Sequence, residues 1–492
     1  KFNHQVLLFI FGYQRISFQP DWALGYEYGN ISIAPAGDVN GDGFSDVICG
    51  RASEESAFLF YGTISGISST ISWTVTAQGS FGSAVGTAGD INNDGYDDVI
   101  VGAPSFVNSD GSIGRVFLYL GSINGLPSTP SSSVLSLSAE GSFGNFVTSA
   151  GDVNNDGFSD ILIGADQIQG THKIAGYVLG GSYSGISNNN LLWAVSLPVN
   201  SVPNGFGRSL SPGGDLNGDN FDDILVSALE YTDEATGGYA FAYYGRLNKQ
   251  MFESPDWSLY RDSTFGSAIS DAGDVNADGF GDIIVSAMWQ GENNGRVYLF
   301  KGSATGPQNQ PDWFTNGYWH SLFGFTIANI GDYNNDGFDD IAIGEIHGFN
   351  PGTHILLGSP NTLNPLEDIS YYPGSTYLSH GADFNGDNLS DFLSAMTYTD
   401  NHYGGFYGKK NSIRLTPKRI VRAGNEEHCS IAYLNFPGGK PASGFSMKFI
   451  VKGVNNDTID IITDAIGKAS FCYSSTVWGI DTVIAVSAQV AD

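Results

Sequence analysis

The sequence predicts an all-β protein: a seven-bladed β-propeller followed by a small β-sandwich. Three observations predict it. A nine-residue loop rich in Asp, Asn and Gly recurs seven times, a short apolar run succeeds every copy, and the periodicity stops near residue 409. The loops open at Asp38, Asp90, Asp152, Asp215, Asp274, Asp332 and Asp383, so successive starts differ by 52, 62, 63, 59, 58 and 51 residues. That interval suits one four-stranded sheet with its turns.

Every loop carries Asp, Asn, Asp and Asp at its first, third, fifth and ninth positions, which aims hard oxygen ligands at a cation, with the carbonyl of position seven completing the shell. The first loop thus offers Asp38, Asn40, Asp42, Phe44 (carbonyl) and Asp46, and the second Asp90, Asn92, Asp94, Tyr96 and Asp98. The third offers Asp152, Asn154, Asp156, Phe158 and Asp160, and the fourth Asp215, Asn217, Asp219, Phe221 and Asp223. Asp274, Asn276, Asp278, Phe280 and Asp282 form the fifth set, Asp332, Asn334, Asp336, Phe338 and Asp340 the sixth, and Asp383, Asn385, Asp387, Leu389 and Asp391 the seventh. Position six is Gly43, Gly95, Gly157, Gly279 or Gly337, with Asn220 and Asn388 in the other two. Gly and Asn tolerate a left-handed backbone, so a sharp turn is expected there. Oxygen-only donors without Cys or His favour calcium, up to seven ions.

An EF-hand needs a bidentate Glu at position twelve and a helix on either side. Here position twelve is Cys49, Val101, Ile163, Val226, Val285, Ile343 or Ser394. Each loop runs instead into a β-branched stretch such as Asp98-Val99-Ile100-Val101, which reads as a buried strand. The loop therefore joins two strands. A further apolar strand ending in Gly comes next, as in Ala57-Phe58-Leu59-Phe60-Tyr61-Gly62, and Trp73, Trp193, Trp257 and Trp313 mark an outer fourth strand. Four strands in each of seven repeats predict the propeller.

The seventh repeat lacks an outer strand after Gly405-Phe406-Tyr407-Gly408, whereas Pro20-Asp21-Trp22-Ala23-Leu24 matches the outer-strand pattern of Pro255-Asp256-Trp257-Ser258-Leu259. The N-terminal region is therefore expected to close the ring. Residues 1–16 then hold a spare apolar strand, His4 to Gly12, with two outcomes open: it packs at the closure, or it is donated to a neighbouring copy in a filament.

At this point the chain resembles the FG-GAP repeats of integrin α-subunit propellers and bacterial surface proteins. The pairs Phe81-Gly82, Phe143-Gly144, Phe206-Gly207, Phe265-Gly266 and Phe323-Gly324 each stand nine residues before a loop, and Gly102-Ala103-Pro104 is the downstream motif. The resemblance covers about residues 17–408. It departs at the ends: the first repeat has Tyr28-Gly29 ten residues upstream, and the seventh has no Phe-Gly pair. It implies ligand binding on the face opposite the loops, where Tyr231, Trp289, Gln290, Tyr318, Trp319, His320, His347 and Tyr398 are candidates.

Residues 409–492 are expected to hold a linker and a small β-sandwich. Lys409, Lys410, Arg414, Lys418, Arg419 and Arg422 make a basic linker, and alternating strands begin near Cys429. The run Thr463 to Phe471 followed by Gly479 to Val483 resembles the end of bacterial Ig-like domains. About six strands are visible, leaving room for one donated strand. Cys429 and Cys472 fall on two of them and are expected to form a disulfide, which requires an oxidising compartment. Cys49 reads as a buried thiol packed as a small hydrophobe.

The formal charge is −30. Three ligand Asp in each of seven loops supply 21 of the acidic groups, and seven divalent ions would return +14, leaving about −16. Nucleic acid and anionic membranes are poor partners for such a surface. No apolar run reaches membrane-spanning length. The chain starts at Lys1, so a processed or truncated form is expected. The eight His are scattered, and zinc-helix, nucleophile-elbow, P-loop and dinucleotide motifs are lacking. The expected function is non-catalytic: a secreted, extracellular or cell-surface adhesion or structural protein, with a protein, a glycan or copies of itself as partner. The rival readings are a carbohydrate-binding lectin and an accessory domain of a secreted enzyme.

Overall fold

The computed structural model describes residues 22–24, 31–136, 141–199, 203, 205–231, 236–247, 251, 254–317, 321–346, 352–360, 363, 369–371, 377–396 and 402–406, and the backbone strands of the C-terminal region. Two compact units result. The second comprises residues from Tyr407 onward, grouped with the short segments Asp332–Phe338 and Asn388–Ser390. The expected spare strand at residues 4–12 lies outside the described residues.

The first unit is a β-propeller. Its first blade is Ser32–Gly37, Asp46–Arg51, Ser56–Phe60 and Trp73–Thr76, and its second is Ala84–Gly89, Asp98–Val107, Ile113–Tyr119 and Ser132–Leu135. The third is Val147–Gly151, Asp160–Gln169, His172–Leu179 and Leu191–Pro198, and the fourth Gly205–Gly214, Asp223–Tyr231, Thr236–Tyr243 and Trp257–Asp262. The fifth is Ile269–Gly273, Asp282–Ala287, Arg296–Phe300 and Trp313–Asn316, and the sixth Thr326–Gly331, Asp340–Glu345, Gly352–Leu356 and Ile369–Tyr371. All pairings are antiparallel.

The expectation of seven blades is corrected here to six. Six blades are built from four consecutive strands; the seventh loop lies in a composite sheet, in which Tyr377–Leu378, Phe392–Met396 and His402–Phe406 are completed by Trp22–Leu24. Trp22 pairs with Gly405 in that register. Its surroundings repeat those of Trp73: the Trp22 indole donates to the Ser68 carbonyl and meets Phe60 edge-on, as Trp73 donates to Pro127 and meets Tyr119.

The second strand of each blade is apolar without alternation because both its faces are covered. Asp282–Ala287 and Asp340–Glu345 are buried throughout, whereas the outer strand Trp257–Asp262 alternates. Cores form between blades: Ile48, Leu59 and Val75 of the first pack with Val99, Phe117 and Tyr119 of the second. The five Phe of the Phe-Gly pairs are buried, and each meets an aromatic ring of its own third strand, as Phe81 meets Phe117 and Phe265 meets Tyr298. The paired glycines hold φ between 83° and 85°. The carbonyls of Gly82 and Gly144 reach the preceding blade: a Cβ on Gly50 would lie 2.3 Å from the first, and one on Gly102 2.0 Å from the second.

In the second unit, Ile413–Thr416, Glu427–Leu434 and Lys468–Ser474 form one sheet, and Arg419–Val421, Ile480–Ser487, Ser446–Gly453 and Asp457–Ile462 another. The basic stretch expected as a linker therefore contributes two short strands. Among the described residues this unit has seven strands, one more than the six read from the sequence, so the strand count no longer motivates a donated strand and the filament reading loses its support.

Candidate metal centres

Each loop joins the first and second strands of a sheet. The glycine before the first ligand, such as Gly37 or Gly151, has φ of 73° and pairs across a bulge with the ninth-position Asp. The turn is then wound around the first carboxylate. In the first loop, Asp38 Oδ1 accepts from the amides of Gly41 and Asp42, and Oδ2 accepts from Gly43 at 2.7 Å. Asp42 Oδ1 accepts from Phe44 at 3.1 Å. The pattern recurs around Asp90, Asp152, Asp215, Asp274 and Asp332. Position six is left-handed as expected, with φ near 90° at Gly43, Gly95 and Gly279 and 61–65° at Asn220 and Asn388.

The ninth-position Asp has a second task that its spacing did not reveal. Asp46 Oδ2 accepts from Val39 at 3.1 Å and Oδ1 from Gly62 at 2.9 Å, tying the loop to the end of the third strand. Asp98, Asp160, Asp223 and Asp282 make the same two bonds. All five are fully buried. Burial pushes the carboxyls of Asp46, Asp160 and Asp223 up to about 8 and those of Asp98 and Asp282 to about 7; the two amides oppose this, and neighbouring loop Asp add to it. Gly62 is obligatory, since a Cβ would meet the Ser45 carbonyl at 2.3 Å.

The loops are also joined to one another. The amide at position eight donates to the carbonyl of the first ligand in the preceding loop: Asp97 to Asp38, Ser159 to Asp90, Asp222 to Asp152, Gly281 to Asp215, Asp339 to Asp274 and Ser390 to Asp332. Ser45 donates to Asp383, which closes the series.

Among the described residues, no three acidic, His or Cys side chains stand in a ligating array. Many of their oxygens are engaged with backbone amides, Asp38 Oδ1 and Asp215 Oδ1 with two each. The donor set nevertheless fits a hard cation. It is all oxygen, its ninth-position carboxylates are buried, and the side-chain carbonyls of third-position Asn154 and Asn334 are buried with no hydrogen-bond donor. A divalent ion would satisfy those oxygens and hold the carboxylates ionised.

On the other candidate face, Trp289 is 43% exposed and precedes a short helix, Gln290–Asn293, whose Gln290 accepts from the Tyr298 hydroxyl at 2.7 Å. Tyr231 ends a second strand, paired with Thr236. Tyr318, Trp319, His320, His347 and Tyr398 lie outside the described residues. Cys49 is buried and free, and burial pushes its thiol up. Cys429 and Cys472 are register partners on adjacent strands.

The family described as FG-GAP repeat matches residues 81–119, 143–178, 206–243 and 265–300, each beginning on the Phe of a Phe-Gly pair and ending in the third strand. Integrin alpha-6 of Gallus gallus is 34% identical over 137 residues, covering 27% of this chain and 13% of that protein. Integrin alpha-PS3 of Drosophila melanogaster is 35% identical over 167 residues, covering 31% and 14%. Integrin alpha-8 of Gallus gallus is 29% identical over 215 residues, covering 41% and 20%. This chain thus matches a fifth or less of the length of these relatives. A solved exotype rhamnogalacturonan lyase, YesX, aligns over 80% of this chain and 75% of its own at 10% identity and a TM-score of 0.38, a likeness too loose to bear on chemistry. The first unit is an all-β propeller in which four segments match the FG-GAP repeat and which is similar in sequence to segments of integrin α-subunits.

Proposed function

We propose that this chain is a non-catalytic, extracellular adhesion module, whose propeller is stabilised by calcium held in the seven loops and whose C-terminal unit is an Ig-like sandwich. The observation that carries the reading is the repeated oxygen-donor loop with its buried ninth-position Asp, together with the donorless oxygens of Asn154 and Asn334. Asp38, Asn40, Asp42 and Asp46, with the Phe44 carbonyl, would hold the first ion, and the equivalent residues the others. Calcium supplies positive charge at the point where several carboxylates converge on one turn; the chain supplies the geometry through backbone bonds. Carboxylates committed to an ion stay ionised, which suits structure rather than proton transfer. The likeness to integrin α-subunits supports a protein ligand on a surface. A carbohydrate-binding reading is favoured only by the exposed Trp289.

Two measurements test the proposal. Beads coated with the purified chain should attach to cell surfaces in calcium and detach in EDTA; equal retention of bare beads would remove adhesion. Melting should occur at lower temperature in EDTA, and superimposable curves would remove the cation.

A further inference from the structure

Position eight of the loops is not uniform. It is Ser45, Asp97, Ser159, Asp222, Gly281, Asp339 and Ser390 in chain order, so an acid stands in every second repeat until the ring closes. The three acids share one placement. Asp97 Oδ2 accepts from the amide of Asp38 at 2.8 Å, Asp222 Oδ2 from Asp152 at 2.8 Å and Asp339 Oδ2 from Asp274 at 2.8 Å. Each reaches from one loop to the first ligand of the loop before it. The glycine preceding that ligand makes the approach possible, since a Cβ on Gly37, Gly151 or Gly273 would lie within 2.2 Å of the carboxylate. Gly214, which faces Gly281, has nothing within 4 Å of its would-be Cβ.

We propose that Asp97, Asp222 and Asp339 are positioning residues that divide the seven cation loops into two affinity classes. This inference rests on the calcium reading above. The loops opening at Asp38, Asp152 and Asp274 have their first ligand held by a carboxylate of the next loop; those opening at Asp90, Asp215, Asp332 and Asp383 have not. The held loops gain twice: their leading backbone is fixed, and a further negative charge sits one residue from the ligand. Groups of this outer kind typically change metal affinity by roughly tenfold or more. Without a cation the same charge is a burden, because Asp97 lies beside Asp38 and Asp90, and Asp222 beside Asp152, Asp215 and Asp271. The position-eight acids therefore favour the loaded state at the expense of the empty one.

The test is calorimetric titration of the full chain with calcium, paired with melting in EDTA. The wild type should show about three tighter and about four weaker sites. The D97N/D222N/D339N variant keeps an oxygen to accept each amide but loses the charge. It should show one weak class, with the tight sites weakened about tenfold, and should melt in EDTA no lower than the wild type. A purely structural role predicts the reverse, a lower melting point in EDTA with calcium affinity unchanged, and would overturn the inference. Should the triple variant fail to fold, D97N alone should move one site from the tight class to the weak, and S159D should move one the other way. A wild type that binds calcium in a single class overturns the pairing alone; one that binds none overturns the calcium reading with it.

Discussion

The amide of Ser45 donates to the carbonyl of Asp383 at 2.8 Å, joining the first Asp-rich loop to the last. Six equivalent bonds link the loops in between, one of them within the second unit. The strand containing Trp22 completes the sheet that carries the last of these loops.

That closure sets the first prediction. Trp22 is buried, donates to Ser68 and packs on Phe60 as Trp73 packs on Tyr119. Trp22→Ala should lower stability by about 3–5 kcal/mol, the usual cost of truncating a buried aromatic. Chemical denaturation should rank it with Trp73→Ala; a loss below ~1 kcal/mol would mean that the strand is not needed for closure.

Chelation is the second. With an extracellular-type dissociation constant of ~0.1 mM and calcium at ~1 mM, each occupied site adds about 1.4 kcal/mol. Differential scanning calorimetry should therefore show the propeller transition rising with calcium concentration and falling in EDTA, while magnesium at equal concentration does less.

The third concerns two glycines that look alike in the sequence. Gly95 has φ of 90° with nothing within 4 Å of a would-be Cβ, so Gly95→Asn should cost little, as Asn220 and Asn388 already occupy the equivalent turn. Gly102→Ala drives a methyl to 2.0 Å from the Gly144 carbonyl of the next blade. Overpacking of this kind costs about 1–3 kcal/mol or more. Urea midpoints should separate the two variants clearly.

These contrasts mark what was legible in the sequence. The loops were, because a pattern at fixed spacing survives translation along the chain: the recurring Asp and Asn positions and the left-handed sixth position lie within nine residues. The second bond of Asp46 was not, since its partner Gly62 stands 16 residues away at the end of another strand. Nor was the bond from Asp38 to Asp97, which spans two repeats. The strands Ile413–Thr416 and Arg419–Val421 were hidden because four-residue and three-residue strands carrying Arg offer too little alternation to register against a basic background.

A fourth prediction comes from a departure inside the sixth blade. Glu345 and His354 are both buried, with His354 Nε2 3.2 Å from Glu345 Oε2. Other blades place Ala103, Ala165, Ala228 or Ala287 where Glu345 stands, five residues past the ninth-position Asp, and Phe117, Tyr177, Phe241 or Tyr298 where His354 stands. His354→Phe alone strips Glu345 of a polar neighbour and should cost about 3 kcal/mol. Adding Glu345→Ala recreates the common pattern and should recover most of that loss. A double-variant cycle in denaturant measures the coupling, and additive losses would mean that the pair does not act as a unit.

The last prediction is chemical. Cys429 and Cys472 face one another in the register of Glu427–Leu434 with Lys468–Ser474. Directly opposed residues of an antiparallel pair have Cα atoms about 4.5–5.5 Å apart, inside the span a disulfide bridges. A bond there would close a long loop and, by the chain-entropy account, restrict the unfolded state by roughly 4 kcal/mol. Alkylation under denaturing conditions should then label only Cys49 before reduction and all three cysteines after it. Peptide mapping without reductant should recover the two strands as one species. The Cys429→Ser/Cys472→Ser variant should lower the melting temperature of the second unit and leave that of the propeller unchanged. Three labelled thiols in the unreduced protein would show the pair to be a packed couple of hydrophobes, and the oxidising compartment would lose its chemical support.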